Sequence, residues 1–139
     1  MSACPALGVD VGTVRVGVAV SDPEGLIATP LTTIPAGHDL VARLGELAKE
    51  RMCQTVVVGL PRALSGRQTQ STAWAVQVAD GLRALGFDVE LWDERLSSAE
   101  AERVLLSAGM RRAKRKTERD RIAAAIILQG WLDARRARG

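Results

Sequence analysis

The 139-residue chain is poor in aromatic residues, histidine and cysteine. It contains no tyrosine, one phenylalanine, three tryptophans and a single histidine, His38. One histidine excludes a site built from several histidines, such as a histidine-rich zinc centre, and nothing in the loop around His38 indicates a catalytic triad. Four aromatic residues are too few for an extended platform that stacks bases. Any nucleic acid would therefore be bound mainly through its backbone and its shape.

The two cysteines, Cys4 and Cys53, do not have the close paired spacing of metal ligands or redox motifs. Sparse cysteine is typical of a reducing compartment, so we expect a cytoplasmic protein in which both are small apolar residues. The sequence also lacks any apolar run near the roughly 20 residues of a membrane span. Its first residues include no basic stretch before an apolar one, so we expect neither a secretory signal nor a membrane partner.

Charge is unevenly distributed along the chain, although the overall net charge is only +3. Residues 111–139 contain ten basic and three acidic residues, a net charge of +7, and the preceding 110 residues carry a net charge of −4. A basic C-terminal region on a mildly acidic body indicates a polyanionic partner. The alternative is a solvated helix end whose basic residues interact with the helix dipole.

Hydrophobic periodicity predicts one α/β domain over residues 1–139. The predicted strands lie at residues 6–12, 14–21, 26–34, 54–60 and 87–94. The predicted helices span residues 39–52, 72–86, 97–109 and 118–136. Short links between the first three strands favour an antiparallel meander, and helical crossovers require parallel neighbours later in the chain. The sequence therefore predicts a five-stranded mixed sheet, three strands antiparallel and two parallel, flanked by helices.

Asp10 is unusual for a core strand, and it lies in the stretch "GVDVGTVRVGVAVSD". Strand alternation puts it on the same face as Gly8 and Gly12, which leaves side-chain volume empty around the carboxylate. That space suits a metal ion or a phosphate, because an unpaired buried carboxylate is costly. The alternative is an ion pair between Asp10 and an arginine such as Arg15 or Arg95.

Further acidic residues occur in two distant segments. Asp93 and Glu94 end the last predicted strand, at the edge where parallel strands present functional groups. The strand pattern does not choose between them, and both would also fit a solvent-exposed loop. Asp120 follows Thr117 with the spacing of a helix capping box. Helical spacing also places Asp120 next to the apolar face that should pack on the sheet, which directs its carboxylate toward Asp10.

Three converging carboxylates repel one another unless a cation holds them together. Mg²⁺ and Mn²⁺ take oxygen ligands, activate water and neutralise charge on a phosphodiester. With a basic segment to hold a polyanion, this pattern predicts a metal-dependent nuclease. One alternative is a nucleotide-dependent enzyme, because "DVGT" resembles the phosphate motif of actin-like and sugar kinases, although 139 residues leave no space for their second domain. The other is a non-catalytic nucleic-acid-binding factor.

Four segments together resemble the YqgF/RuvX family, whose members are described as Holliday-junction resolvases and as pre-16S rRNA nucleases. The segments are "GVDVGTVRVGVAVSD", "VVVGLPRALSGRQTQST", "WDERLSSAEAERVL" and "RKTERDRIAAAIILQGWLD". The resemblance implies a ribonuclease-H-like fold. It also implies that Asp10, Glu94 and Asp120 are the catalytic, metal-binding carboxylates for Mg²⁺ or Mn²⁺, so it selects Glu94 over Asp93.

The resemblance favours processing of ribosomal RNA precursors, with a Holliday junction or other branched DNA as the alternative substrate. Two symmetric cuts in a junction need a two-fold dimer, so both a monomer and a homodimer are compatible with the sequence. The residues expected to contact nucleic acid lie near the carboxylates or in the basic segment: Thr13, Arg15, Arg62, Arg67, Arg95, Arg111, Arg112, Lys114, Arg115 and Lys116.

The chain departs from the family pattern at two places. Val14 stands where the family often has lysine, which removes one expected phosphate contact. The loop "RALSG" lacks the asparagine and aspartate that often precede its glycine. Arg62 and Arg67 would then supply different contacts in that loop.

Overall fold

One mixed sheet with helices on both faces organises residues 5–12, 14–60, 70–93 and 116–137, which a computed structural model of the protein describes. The strands are β1 (Ala6–Val11), β2 (Arg15–Ser21), β3 (Ala28–Pro35), β4 (Thr55–Leu60) and β5 (Asp88–Asp93). The helices are α1 (Leu40–Glu50), α2 (Gln70–Ala84) and α3 (Lys116–Ala137). The helix predicted at 97–109 lies outside the described residues.

The strand order is β3-β2-β1-β4-β5. β1 pairs antiparallel with β2, and β2 pairs antiparallel with β3. β4 is parallel to both β1 and β5. The predicted meander followed by two parallel strands is confirmed, and β3 lies at the edge, where the prolines Pro30 and Pro35 cost no central ladder bond.

The two faces of the sheet carry separate cores, which follow directly from strand alternation. On β1, Leu7, Val9 and Val11 belong to the core that α1 and α2 cover. Ala6 belongs to the smaller core under α3. Asp10 has the same parity as Ala6 and therefore faces α3, as the sequence predicted. A fully buried valine or leucine contributes about 1.5–3 kcal/mol, so a register slip that reversed these faces would be strongly unfavourable.

Helix α3 is anchored to the edge of the sheet through the amide of Gln129. Its Oε1 accepts a hydrogen bond from the Ala28 N–H at 2.9 Å, and its Nε2 donates to the Leu26 carbonyl at 2.9 Å. The same loop is closed by Asp22, whose Oδ1 accepts from the N–H groups of Leu26 and Ile27. The Ile27 N–H is the main cause that lowers the pKa of Asp22, and the Leu26 N–H acts in the same direction.

The helix ends differ slightly from those predicted, as is usual for frayed termini. Asp39 is the N-cap of α1, as predicted, although its side chain makes no capping hydrogen bond. Helix α2 begins two residues before the predicted start and ends before Gly86, whose positive φ of 100° suits a glycine C-cap. Helix α3 begins at Lys116, so Thr117 lies inside the first turn and not at the predicted N-cap.

The aromatic residues in the described part of the chain belong to the core, as predicted. Phe87 and Trp131 are buried, and Trp74 and Trp92 pack against the two cores. Cys53 is buried as well, in agreement with its prediction as a small apolar residue. Among the described residues, no helix is both long and apolar enough to cross a membrane.

Candidate active site

Asp10 lies in a row of the sheet where both neighbouring strands carry glycine. It is opposite Gly17 on β2 and level with Gly59 on β4. Neighbouring strands are about 4.8 Å apart, so no side chain stands directly beside the half-buried Asp10 on either strand. This row faces α3, so the surroundings of the Asp10 carboxylate depend on the helix and not on side chains of the neighbouring strands.

The start of α3 contacts the sheet at Gly17, and we call this contact between Gly17 and the Asp120 backbone the seat. A Cβ at this position would overlap the backbone carbonyl of Asp120, so only glycine fits beneath the helix here. At Gly59 a Cβ would overlap the side chain of Ile127, so this glycine makes room for a side chain of α3 and not for its backbone. Since Gly17 is the direct cross-strand partner of Asp10, the seat places the Asp120 backbone about one strand spacing from Asp10. Asp10 and the backbone of Asp120 are thus on the same face of the sheet and near each other.

Arg15 makes an ion pair with Asp120. Its Nε donates a hydrogen bond to Asp120 Oδ2 at 2.7 Å, and the two side chains are 33% and 28% exposed. The sequence offered Arg15 as a partner of Asp10; the structure instead places its Nε on Asp120. A pair with about a third of each side chain exposed contributes about 1 kcal/mol or less to folding, so its main effect is to orient the carboxylate.

The turn between β1 and β2 is held from three sides. The Gly12 N–H donates to the Arg15 carbonyl at 3.0 Å, and Trp74 Nε1 on α2 donates to the Gly12 carbonyl at 3.1 Å. The Ala36 N–H donates to the Val14 carbonyl at 2.9 Å. These bonds fix the end of β1 that carries Asp10, and they tie it to an element on the opposite face of the sheet.

The expected role of Gly8 and Gly12 as a space for metal or phosphate is wrong. A Cβ at Gly8 would lie 2.6 Å from Leu128 Cβ and 3.0 Å from the Ala124 carbonyl, so α3 already fills that volume. A Cβ at Gly12 would lie 2.5 Å from the Arg15 carbonyl, so this glycine serves the turn. Glycine in this site lets the backbone of α3 and the turn come close.

Sequence reasoning missed the cross-strand glycines, because it followed neighbours along β1 and not across the ladder. A signal was available in "RVGVAV" and "VVVGL", each of which has an isolated glycine inside an apolar strand. Such a glycine often marks a close approach by another backbone. The strand register was needed to show that both glycines lie beside Asp10.

The register of β5 places Asp93 on the face of the sheet opposite Asp10. Asp93 pairs with Leu60 on β4, which packs against the core under α1 and α2. Asp10 is level with Gly59, one residue earlier on β4, and therefore faces the other side of the sheet. Asp93 and Asp10 are on opposite faces. Glu94, the residue selected by the family resemblance, lies outside the described residues.

Most of the residues expected to contact nucleic acid fall outside the described part of the chain. Arg15 is described and pairs with Asp120. Lys116 is the first residue of α3, but its side chain is not described. The others lie outside it altogether: Thr13, Arg62, Arg67, Arg95, Arg111, Arg112, Lys114 and Arg115.

Trp92 adds a polar atom that the sequence did not single out. It is level with Gly59 and therefore lies in the same row as Asp10, two strands away. Its Nε1 is buried and has no hydrogen-bond partner in the described part of the protein. Because an indole N–H can only donate, it would take an acceptor oxygen and not a metal ion.

A pocket at the other end of the sheet is separate from these carboxylates. It is lined by Thr55, Asp88, Glu90, Trp131 and Arg135. Thr55 begins β4, whereas Gly59, level with Asp10, lies near the end of this strand. Four residues of strand span about 13 Å, so the pocket does not contain the predicted site.

The described side chains fit part of a divalent metal site. Asp10 and Asp120 offer carboxylate oxygens on one face, the donor type that Mg²⁺ and Mn²⁺ prefer. The described residues contain no group of three or more potential metal-binding side chains. The third expected ligand, Glu94, lies outside them, so the described part supplies two of the three expected carboxylates.

Comparison with known proteins identifies relatives over almost the whole chain. A family model described as "RuvX: Holliday junction resolvase" matches residues 5–134. A protein of Mycolicibacterium smegmatis named "Putative pre-16S rRNA nuclease" is 47% identical over 138 residues, which cover 94% of this chain and 81% of the relative. A protein of Chloroflexus aggregans with the same name is 47% identical over 133 residues, 94% of both chains.

The fold is also similar to that of a solved structure. The structure of T. thermophilus RuvC in complex with a Holliday junction substrate matches with a TM-score of 0.67 and 21% identity, over 96% of both chains. At this identity the similarity concerns the fold, and it confirms the predicted ribonuclease-H-like class.

Proposed function

The chain belongs to the RuvX family, and on this basis we propose that it is a divalent-metal-dependent nuclease that hydrolyses phosphodiester bonds. The observation that carries the proposal is the seat at Gly17, where α3 rests on the residue opposite Asp10 and brings Asp120 to the same face. Carboxylates on one face repel each other and destabilise the fold, and a bound cation would offset that repulsion.

Asp10, Asp120 and Glu94 would hold Mg²⁺ or Mn²⁺. When bound, such an ion activates a water molecule and neutralises charge on the phosphate. The chain's own contribution is positional. Asp10 is held within the sheet between two ladders. Asp120 is held by the seat at Gly17 and by Arg15. Basic residues of segment 111–116 would hold the phosphate backbone of the substrate beside them.

The preferred substrate is a ribosomal RNA precursor, the substrate in the names of the two relatives. The family description favours a second candidate, resolution of Holliday junctions. The two differ in symmetry, because paired cuts in a junction need two active sites related by a two-fold axis, whereas trimming of RNA does not.

A cleavage panel tests the proposal. Wild type and Asp10→Asn would each be incubated with a pre-16S rRNA fragment, unstructured RNA, duplex DNA and a four-way junction, in Mg²⁺, Mn²⁺ or EDTA. We expect wild type to cut one substrate class only in the presence of metal. Asp10→Asn should reduce that rate by at least about 100-fold, because the loss of one metal-coordinating charge removes most of the electrostatic stabilisation.

Asp39→Asn is the matched control for this panel. Asp39 is exposed at the start of α1, makes no capping hydrogen bond through its side chain, and its helix lies on the opposite face from Asp10. It should cut at the wild-type rate. Equal cleavage by wild type and Asp10→Asn would refute the site. Binding without metal-dependent cleavage of any substrate would favour a nucleic-acid-binding factor.

A further inference from the structure

We infer that Arg15 is a positioning residue that holds the Asp120 carboxylate for the cation, and not a contact for nucleic acid. The inference rests on the proposed function, because it concerns the metal site of that nuclease. It changes the role that the sequence assigned to Arg15. Its basis is the contact between Arg15 Nε and Asp120 Oδ2 at 2.7 Å.

Arg15 and Gly17 act on the same residue from the same face of β2. They are two positions apart on one strand, so both face α3. Gly17 receives the backbone of Asp120, and Arg15 binds its side chain. Asp120 is therefore fixed at two points by one strand. The hydrogen bond limits rotation of the carboxylate, which the backbone seat alone would leave free.

The strand that holds Asp120 is itself rigidly placed. Val16 and Val18, which flank Gly17, are completely buried in the core under α1 and α2. The Gly12 N–H binds the Arg15 carbonyl at 3.0 Å, so the backbone of Arg15 is held by the turn that follows Asp10. The positions of Asp10 and Asp120 are thus coupled through a short, hydrogen-bonded piece of β1 and β2.

The electrostatic need for such a residue follows from the arrangement of the acids. Asp10 and Asp120 lie on the same face of the sheet, and the backbone of Asp120 contacts the cross-strand partner of Asp10, so the two negative charges repel each other. The guanidinium of Arg15, which lies on β2, partly neutralises Asp120 and so reduces this repulsion. Hydrogen bonds to a metal-binding carboxylate typically change metal affinity or activity by 10- to 100-fold when removed.

Two other roles for Arg15 make different predictions. If Arg15 competes with the cation for Asp120, its removal strengthens metal binding. If Arg15 contacts a phosphate, its removal weakens nucleic-acid binding and lowers the slope of log K against log salt by about 0.7–0.9, with metal binding unchanged. The positioning role predicts weaker metal binding and an unchanged salt slope measured without metal.

The test is calorimetric titration of Mn²⁺ into wild type, Arg15→Met, Arg15→Lys and the control Arg43→Met. Arg43 is exposed on α1, on the opposite side of the sheet. We expect Arg15→Met to raise the Kd for Mn²⁺ by 10- to 100-fold. Arg15→Lys should have a smaller effect because the charge is kept, and Arg43→Met should have none. Thermal unfolding in EDTA checks that each variant is folded. If Arg15→Met is unfolded, the Kd of Arg15→Lys for Mn²⁺ tests the positioning role instead.

Nucleic-acid binding in EDTA across a range of salt concentrations completes the experiment. Unchanged or tighter Mn²⁺ binding by both Arg15 variants would overturn the positioning role. A lower salt slope with normal Mn²⁺ binding would overturn it in favour of a phosphate contact. Asp10→Asn is titrated as well. Equal Mn²⁺ binding by wild type and Asp10→Asn would refute the metal site of the proposed function. Weaker binding by Asp10→Asn with unchanged binding by both Arg15 variants would refute the positioning role alone.

Discussion

Val14 is a position at which this chain departs from the family pattern, and it lies next to the end of β1 that carries Asp10. It lies in the turn between β1 and β2, and the residue is 66% exposed. Its carbonyl is held by the Ala36 N–H, so the backbone is fixed even though the side chain is in solvent. The family that the sequence resembles often has lysine here, so the chain has an apolar side chain where a cation would attract phosphate.

Restoring a cation at this position should strengthen binding of nucleic acid. Val14→Lys adds one positive charge near the proposed site, and each neutralised phosphate steepens the slope of log K against log salt by about 0.7–0.9. We expect several-fold tighter binding at low salt and a slope steeper by about one. Fluorescence anisotropy with a labelled RNA and a labelled junction, titrated at several salt concentrations, measures both quantities.

Met52→Lys is the matched control for this prediction. Met52 is also an exposed apolar residue, at 80%, but it follows α1 at the opposite end of β4 from Gly59. It should leave the salt slope much closer to that of wild type. An equal increase in both variants would show that the added charge acts through the net charge of the protein, and the local role of position 14 would be refuted.

At the residue scale, the sequence predicted the faces of side chains better than their contacts. It placed Asp10 and Asp120 on facing surfaces, because alternation in a strand and periodicity in a helix are local properties. It did not find Gly17, because the role of this glycine depends on the pairing of β2 with β1 and on the helix above. The partner of Arg15 was missed for the same reason, since 105 residues separate it from Asp120.

At the scale of elements, the ends of α1 and α2 make an informative pair. Both helices end with a hydrogen bond from a later N–H to a carbonyl in the last turn, from Cys53 to Ala48 and from Phe87 to Leu82. Such an ending needs a residue with positive φ. In α2 this residue is Gly86, but in α1 it is Met52, with φ of 59°.

Met52→Gly should therefore stabilise the protein. A non-glycine residue in the left-handed region costs about 1–2 kcal/mol, part of which is offset by the greater chain entropy of glycine when unfolded. We expect the free energy of unfolding to rise by about 0.5–1 kcal/mol in urea denaturation. Met52 is exposed, so little packing is lost.

Gly86→Ala is the reciprocal test of the same explanation. A Cβ at Gly86 would meet no atom within 4 Å, so alanine there would be disfavoured by the positive φ alone and not by a steric clash. It should lower the free energy of unfolding by about 1 kcal/mol. If Met52→Gly destabilises the protein while Gly86→Ala has no effect, conformational preference does not explain these helix ends.

The order of strands and helices was predictable because each has its own hydrophobic period. Their first and last residues were less predictable. The start of α3 was predicted two residues late, since the basic segment before it has no apolar period to mark a boundary. The limits of β3 shifted from 26–34 to Ala28–Pro35, because Leu26 and Ile27 belong to the loop that Asp22 closes. A pattern of alternation cannot distinguish apolar side chains in a loop from those at the end of a strand.

At the scale of the whole molecule, the topology follows from link lengths. Short turns allowed only antiparallel neighbours for β1, β2 and β3, and the connections through α1 and α2 required β4 and β5 to run parallel to β1. The sequence could not show how closely α3 would approach the sheet. That distance depends on Gly8 and Gly17, which lie on neighbouring strands beneath the same helix, and only the assembled strand order reveals this.

The charge distribution is also a property of the whole molecule, and it leads to the last prediction. Segment 111–116 is strongly basic in sequence and immediately precedes the part of α3 that carries Asp120. If this segment binds the phosphate backbone, neutralising it should weaken binding of every nucleic acid and reduce the salt dependence. The test variant replaces two arginines and one lysine with glutamine, at Arg111, Arg112 and Lys114.

The control makes the same change in charge on α1, which covers the face of the sheet opposite Asp10. It replaces two arginines and one lysine of α1 and its C-cap, which are exposed: Arg43, Lys49 and Arg51. Both variants therefore have the same net charge. The test variant should lose about 2–3 from the slope of log K against log salt, and the control should lose much less. Equal losses would mean that net charge attracts the polyanion, and the local interface at segment 111–116 would be refuted.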